Sequence, residues 1–283
     1  MTSMLIVGGL TIDRFPDGTV GPGGSVLHSG LAAAGEGAVL TVLTVAGDEP
    51  PARAGLDRLR SLGAVVRQPG PTTVYRHEER DGVRVLVFEA RTEPIGVEWL
   101  RDVGRPEVAL VAPIGDEVPA SLVAAMGADV DPGRTVLLIQ GWLRRLVVGE
   151  EVTALPLDAL ADDQLRAMGE ADAVVVSTED LVESPGEPFA QAAELRRRIG
   201  ARPVLLVTLG AQGYLLDDPG LDRVVASVPR RVVTGVPSVG AGDTFGASLA
   251  VHLARGASAA AAADRATEAV IGMLEARRVT SAR

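Results

Sequence analysis

The stretch Pro237-Ser238-Val239-Gly240-Ala241-Gly242-Asp243-Thr244-Phe245 decides the reading of this chain. Two glycines and an alanine leave the backbone N–H groups uncovered. An acid follows at once, and an apolar-periodic segment then begins. A helix starting here points its free N–H groups and the positive end of its dipole at an anion. Asp243 then lies beside that anion, where its carboxylate can accept a proton from a hydroxyl. This is the minimal equipment for moving a phosphoryl group onto an alcohol, a reaction that rests mainly on positioning and charge stabilisation. The helix terminus favours the ionised carboxylate, so the sequence predicts a weakened base. A weak base suffices where the hydroxyl loses its proton late. A plain glycine turn before a helix accounts for the segment taken alone, so its surroundings must decide.

Downstream, Phe245, Leu249 and Leu253 recur every four residues and Gly256 follows, which predicts a helix over Asp243–Ala254. A second helix follows over Ala257–Glu275. Upstream, β-rich runs at Met4–Val7, Val39–Val45, Ala64–Arg67, Val108–Ala112, Thr135–Ile139, Ala173–Val176 and Pro203–Thr208 alternate with helical patterns. Those helices are expected at Ser25–Glu36 (Ser25 as N-cap), Pro51–Leu62, Pro119–Met126, Asp158–Met168 and Glu187–Ile199. Tyr214–Leu216 and Arg223–Val228 read as short strands. Such alternation implies an α/β fold with a doubly wound, mostly parallel sheet and helices on both faces. Thr72–Ala90 breaks the rhythm. Two β-rich runs flank Asp81-Gly82, a hairpin signature, and predict a small β lid beside the main sheet. The Gly- and Pro-rich Phe15–Gly24 is its expected companion. With no repeat and no linker in the chain, one α/β domain over 1–283 is expected, with lid segments near 13–24 and 72–90.

Composition narrows the chemistry. The 283 residues are 47% hydrophobic, enough for a sizeable core. A net charge of −10 argues against nucleic acid or an anionic membrane as the main partner. No apolar run approaches a membrane span and no basic leader precedes the first apolar run, so a cytoplasmic enzyme is expected. The chain holds no cysteine, lysine or asparagine. Disulfides, thiol catalysis, Schiff bases and a P-loop lysine are thereby excluded. Positive charge for a phosphate must come from arginine, a metal ion or backbone N–H groups.

Other segments carry weaker signals. Val207-Thr208-Leu209-Gly210-Ala211-Gln212-Gly213 closes a strand and turns on two glycines, where open α/β sheets bind ligands. A plain β-turn explains it too. Gly8-Gly9 lacks the spacing of a dinucleotide fingerprint, which disfavours a nicotinamide enzyme. Asp13, just after the first strand, can accept bonds from substrate hydroxyls, or can be an exposed turn acid. Gly23-Gly24 before the Ser25 helix gives a second anion- or hydroxyl-facing backbone, with His28 one turn in. No histidine pair has ligand spacing. In Ser177-Thr178-Glu179-Asp180 the acids can hold Mg²⁺ through water or can be first-turn acids behind a serine cap.

Taken together, these segments resemble the ribokinase-like (PfkB) carbohydrate kinase family over nearly the whole length. Val239–Phe245 is similar to that family's C-terminal signature. The resemblance implies an anion hole at Gly240, Ala241 and Gly242 and a catalytic base at Asp243. It implies substrate binding at Asp13, Gly23, Gly24 and His28, and nucleotide binding at Thr208, Gly210 and Gly213 through a V-T-x-G-x-x-G segment. ATP and Mg²⁺ are the implied cofactors, with Asp180 at the metal. Four positions depart from the pattern. Pro237 stands where an acid supports a monovalent-cation site. Ser177 and Asp180 replace the ends of an N-x-x-E motif. His28 replaces an asparagine of many sugar kinases. Leu138-Ile139-Gln140-Gly141-Trp142-Leu143-Arg144 looks like a D-x-Q-G-x-x-R segment of a subgroup that includes myo-inositol kinases, with Leu138 in place of the acid. The resemblance therefore implies ATP-dependent phosphorylation of a small sugar or polyol. The alternative is a sugar- or nucleotide-binding regulator of the same fold. A homodimer through the lid edge is a further expectation.

Overall fold

The protein is described from a computed structural model that covers residues 1–81, 83–181 and 188–281. In chain order the strands are β1 (Ser3–Gly8), β2 (Thr11–Arg14), β3 (Val20–Gly23), β4 (Val39–Ala46), β5 (Gly63–Pro69), β6 (Thr73–Arg80), β7 (Val83–Ala90), β8 (Val108–Ala112), β9 (Thr135–Leu138), β10 (Arg144–Arg145), β11 (Thr153–Ala154), β12 (Ala173–Ser177), β13 (Val204–Thr208), β14 (Tyr214–Asp217) and β15 (Val225–Ser227). The helices are α1 (Ser25–Gly35), α2 (Pro50–Arg60), α3 (Ala120–Asp129), α4 (Asp162–Glu170), α5 (Pro188–Ile199), α6 (Ala241–Ala254) and α7 (Ala259–Ser281).

The continuous apolar runs become strands buried on both faces, as a covered parallel sheet requires. Along β1, Met4 and Ile6 point into one core while Leu5 and Val7 point into the other. Leu110 and Val111 of β8 divide in the same way. The first core is roofed by α1, α2, α6 and α7 through Leu27, Leu56, Leu249 and Ala262. The second is roofed by α3, α4 and α5 through Leu122, Met168 and Leu195. Each fully buried leucine contributes roughly 1.5–3 kcal/mol.

The main sheet has the order β15-β14-β13-β12-β9-β8-β1-β4-β5. All pairs from β13 to β5 are parallel, and β14 and β15 add antiparallel at the end. Strand order reverses between β1 and β8. A second sheet, β3-β2-β6-β7, is the lid, and it unites the two segments read as companions in the sequence. Tyr75 and Phe88 of the lid pack on Ile114 of the body. The outer edge of β7 is covered by the chain itself. Phe88 N–H donates to the Glu150 carbonyl at 3.0 Å and Val152 N–H to the Leu86 carbonyl at 2.7 Å. Among the described residues β3 has no strand neighbour on its outer side.

Local chemistry moves some boundaries. The cap of α1 is Gly24, at φ 93°, not Ser25. The Ser25 hydroxyl instead donates to the Ala112 carbonyl and ties α1 to the end of β8. The helix expected from Asp158 starts at Asp162, because the Ala161 N–H is satisfied by the Gln164 side chain at 2.9 Å. Glu187, the expected start of α5, lies outside the described residues. No helix among the described residues is long and apolar enough to cross a membrane.

Candidate active site

In open α/β sheets, ligands bind beyond the carboxyl ends of the strands, where strand order reverses. Here the turns after β1, β8, β9, β12 and β13 deliver residues to one cavity of about 470 Å³, closed on one side by the lid. Asp13, Gly24, His28, Thr208, Gly210, Gly213, Asp180 and Gly240 to Asp243 all line it. Residues spread from position 13 to 243 of the sequence meet there.

One side of the cavity is the mouth of α6. Gly240 is its cap in the left-handed region, φ 77°, where a side chain is strained. A Cβ at Gly240 would also lie 2.5 Å from the His28 ring. The N–H groups of Gly240 and Gly242 donate to no acceptor among the described residues. Ala241 differs from the expectation. Its N–H closes a turn onto the Ser238 carbonyl at 2.9 Å, so it is not free for an anion. The hole is narrower than the sequence implied, with Gly242 and Gly240 as its open amides. Asp243 sits in the first turn of α6, 7% exposed, and its Oδ1 has no hydrogen-bond partner. Burial pushes its carboxyl above the usual carboxylate range, and His28 and Arg144 pull it partly back. The expected weakening of this base by the helix dipole is therefore outweighed by desolvation.

Another side is built on the lid strands β2 and β6. Asp13 accepts from the Thr11 hydroxyl at 2.9 Å and lies 3.7 Å from His77 Nε2. His77 stacks on Phe15 with ring centroids 4.7 Å apart. Gly23 does not line the cavity. It pairs with Thr11 across β2–β3, and a side chain there would overlap the Asp13 carboxylate. Its part is to leave room for the acid. Gly24, at positive φ against the Gly9 carbonyl, does reach the cavity.

Arg144 joins the two sides. It donates to Gln140 Oε1 at 3.2 Å and to the Ile114 carbonyl at 3.4 Å, and lies 3.9 Å from Asp180. The Ile114 carbonyl also accepts from the Tyr75 hydroxyl of the lid at 2.9 Å. That turn is clamped from below by buried Glu117, whose carboxylate accepts from the Ile114 and Gly115 N–H groups at 2.8 Å. Burial raises the Glu117 carboxyl while those N–H groups lower it again.

The far end differs in character. Val232, Val233, Val270, Ile271 and Leu274 make an apolar slot beside Thr208, Gly210 and Gly213. Gly213 is held at φ 101° with no room for a side chain against the Ser227 carbonyl. Glu179 and Asp180 line the same cavity. Burial raises the Asp180 carboxyl, and Arg144 opposes that. Among the described residues no group of three acidic or histidine side chains could cage a metal. Mg²⁺ binds phosphates with one or two protein carboxylates and keeps several waters, so adjacent Glu179 and Asp180 fit it.

Sequence reasoning missed Tyr75, His77 and Arg231 on the cavity wall. It quoted Gln140 and Arg144 only for their motif. Tyr75 and His77 alternate inward on β6, a period-2 signal that could have flagged them.

Residues 131–273 match the pfkB family carbohydrate kinase family, half of the chain, and the chain belongs to that family. No curated protein matches the sequence. Among solved structures, a pyrophosphate-dependent kinase in the ribokinase family, complexed with a pyrophosphate analogue and myo-inositol, superposes with a TM-score of 0.75 at 18% identity, covering 93% of this chain and 92% of that one. Ribokinase from Thermotoga maritima gives 0.70 at 16% identity, over 95% and 92%. Arabidopsis thaliana ribokinase, complexed with ribose and ATP, gives 0.70 at 19%, over 95% and 91%. The protein has the ribokinase fold and is a carbohydrate kinase at the level of its family.

Proposed function

We propose that this chain transfers the γ-phosphoryl group of ATP to a hydroxyl of a small sugar or polyol. One observation carries the reading. Asp243 holds a buried, partly unpaired carboxylate at an open helix mouth, on the same cavity as Asp13. The acceptor hydroxyl would bind between the two acids, with Asp13 and the Gly24 backbone accepting and donating to its other oxygens. Asp243 takes the hydroxyl proton as the new O–P bond forms. The open amides of Gly240 and Gly242, with the dipole of α6, stabilise the charge on the transferring group. Arg144 faces the same space as a fixed cation. Glu179 and Asp180 would hold Mg²⁺, which when bound neutralises phosphate charge. The lid excludes water that would otherwise compete with the acceptor.

The structural relatives use both ATP and pyrophosphate donors. The apolar slot favours a nucleoside here, because pyrophosphate has no apolar part to fill it. A regulator without catalysis would have no need of an acid aimed into the cavity. The test is an ADP-release screen over pentoses, hexoses, inositols and nucleosides, run beside calorimetry with ATP and with pyrophosphate. Turnover of one acceptor class with ATP supports the reading. ATP binding without turnover on any acceptor moves the chain to the regulator, and pyrophosphate binding without ATP binding reassigns the donor.

A further inference from the structure

The loop that delivers Gly240 and Gly242 is held from behind by an arginine. Arg277, near the end of α7, places Nη1 against two carbonyls at once, 2.8 Å from Pro237 O and 2.7 Å from Val239 O. A second bond secures the start of the same loop to the same helix, where Arg231 pairs with Glu275 at 3.0 Å. Ser238 O, between the two carbonyls, is taken by the Ala241 N–H. The carbonyls of residues 237, 238 and 239 are thus all engaged, two of them on one positive nitrogen. Converging carbonyls are the usual cage for a small cation. Here the cation is covalently part of the chain.

This bears on the monovalent ion that the family resemblance raises. The position where an acid would help hold it is Pro237, which has no side-chain oxygen. The guanidinium also occupies two of the loop's carbonyls. The residues present do not fit a bound monovalent cation.

We propose that Arg277 is a built-in cation that positions the Pro237–Val239 loop, and with it the anion-binding amides of α6, so that the protein works without potassium. Arg277 touches no substrate in this scheme and acts through the loop. A guanidinium here is half-buried, and desolvation lowers its pKa, yet it stays protonated at any working pH. The inference rests on the kinase reading for its catalytic part, but the cation-binding part stands without it.

The experiment has two arms. Wild-type protein is melted, and assayed with its acceptor, in potassium, sodium or choline chloride at one ionic strength. The expected result is one melting temperature and rates that agree within about twofold. A potassium-specific rise in melting temperature, or a rate gain of about fivefold or more in potassium, overturns the proposal. In the second arm Arg277→Ala should lower kcat by about tenfold or more while the acceptor KM changes little. Part of that loss should return with added guanidinium ion, and none with urea. Arg277→Lys, which keeps the charge, should lie between. An alanine variant with unchanged kcat, or one rescued equally by urea, overturns the proposal. If the alanine variant fails to fold, the lysine variant and the wild-type salt series still decide it. Absence of any donor binding in every salt would sink the kinase reading alone, because the melting arm reads cation binding directly.

Discussion

Replacing Asp243 by asparagine should make this protein more stable and nearly inactive. The carboxylate is buried and its Oδ1 has no partner. A buried polar group left unsatisfied costs about 1–3 kcal/mol, and more when charged. A carboxamide of the same shape removes the ionisation part of that cost but still buries a polar group, so a gain of about 1 kcal/mol is expected at neutral pH. For a chain of this size that is a rise in Tm of roughly 2 °C. The sign of the pH dependence follows from the raised carboxyl. The folded state binds the Asp243 proton more tightly than the unfolded state does, whose value is near 3.8. Wild-type stability is therefore free of the penalty below that value and loses stability as pH rises toward the folded pKa. The melting-temperature gap between variant and wild type should be small in acid and should open with rising pH. Turnover should fall roughly 10²–10⁴-fold, the usual worth of a general base. Scanning calorimetry across pH, with steady-state kinetics on the same samples, makes the test. An asparagine variant that melts well below wild type at neutral pH, or a gap that ignores pH, refutes the buried-carboxylate account. Equal turnover refutes the base.

Gly240→Ala places a side chain at φ 77° and against the His28 ring, and should cost about 1–2 kcal/mol from the backbone alone, read by thermal melts, with a large loss of kcat. Asp13→Asn removes the charged acceptor of the Thr11 hydroxyl and of substrate hydroxyls. Its acceptor KM should rise by roughly 10–100-fold while the ATP KM holds, and a parallel rise in both would contradict the assignment. Val87 and Glu151 face each other across a non-hydrogen-bonded antiparallel pair, the geometry that suits a disulfide, and the chain has no cysteine of its own. The double variant Val87→Cys/Glu151→Cys should oxidise cleanly, raise Tm by closing a long loop worth up to about 4 kcal/mol, and keep its activity, because the 150–152 segment and the lid move together. Activity that returns only on reduction would show that the 150–152 segment must release the lid.

The α/β alternation was legible because parallel strands buried on both faces leave apolar runs that need no partner to be recognised. The lid was legible from Asp81-Gly82 and from the change to a period of two. Gly240 and Asp243 were legible because a helix mouth is a local object, written in consecutive residues. Arg144 is of another kind. It sits one residue before an exposed arginine, and nothing local separates the two. What distinguishes it is the turn after β8, the lid hydroxyl of Tyr75 and the acid after β12, three segments that only the folded sheet brings together. The occupied Ala241 amide was hidden for a similar reason. Its partner is three residues away, but only the left-handed Gly240 between them closes the turn.

The charges of the cavity show why these particular pieces are needed together. Asp13, Glu179, Asp180 and Asp243 line it, against Arg144 and Arg231, and Arg231 is already paired with Glu275. Such a space repels a polyphosphate unless positive charge is supplied at fixed points. Arg144 supplies one, poised between Asp180 and Asp243. The helix mouth supplies another without adding a titratable group, and Arg277 steadies that mouth from outside the cavity. On the proposed reading, Glu179 and Asp180 would then keep enough negative charge for a divalent ion to arrive with the phosphates. An arrangement that neutralised the acids within the protein would lose both that ion and the base. On the proposed reading, the donor would bring charges that compensate the burial raising Asp243, which would tie proton acceptance by Asp243 to an occupied site.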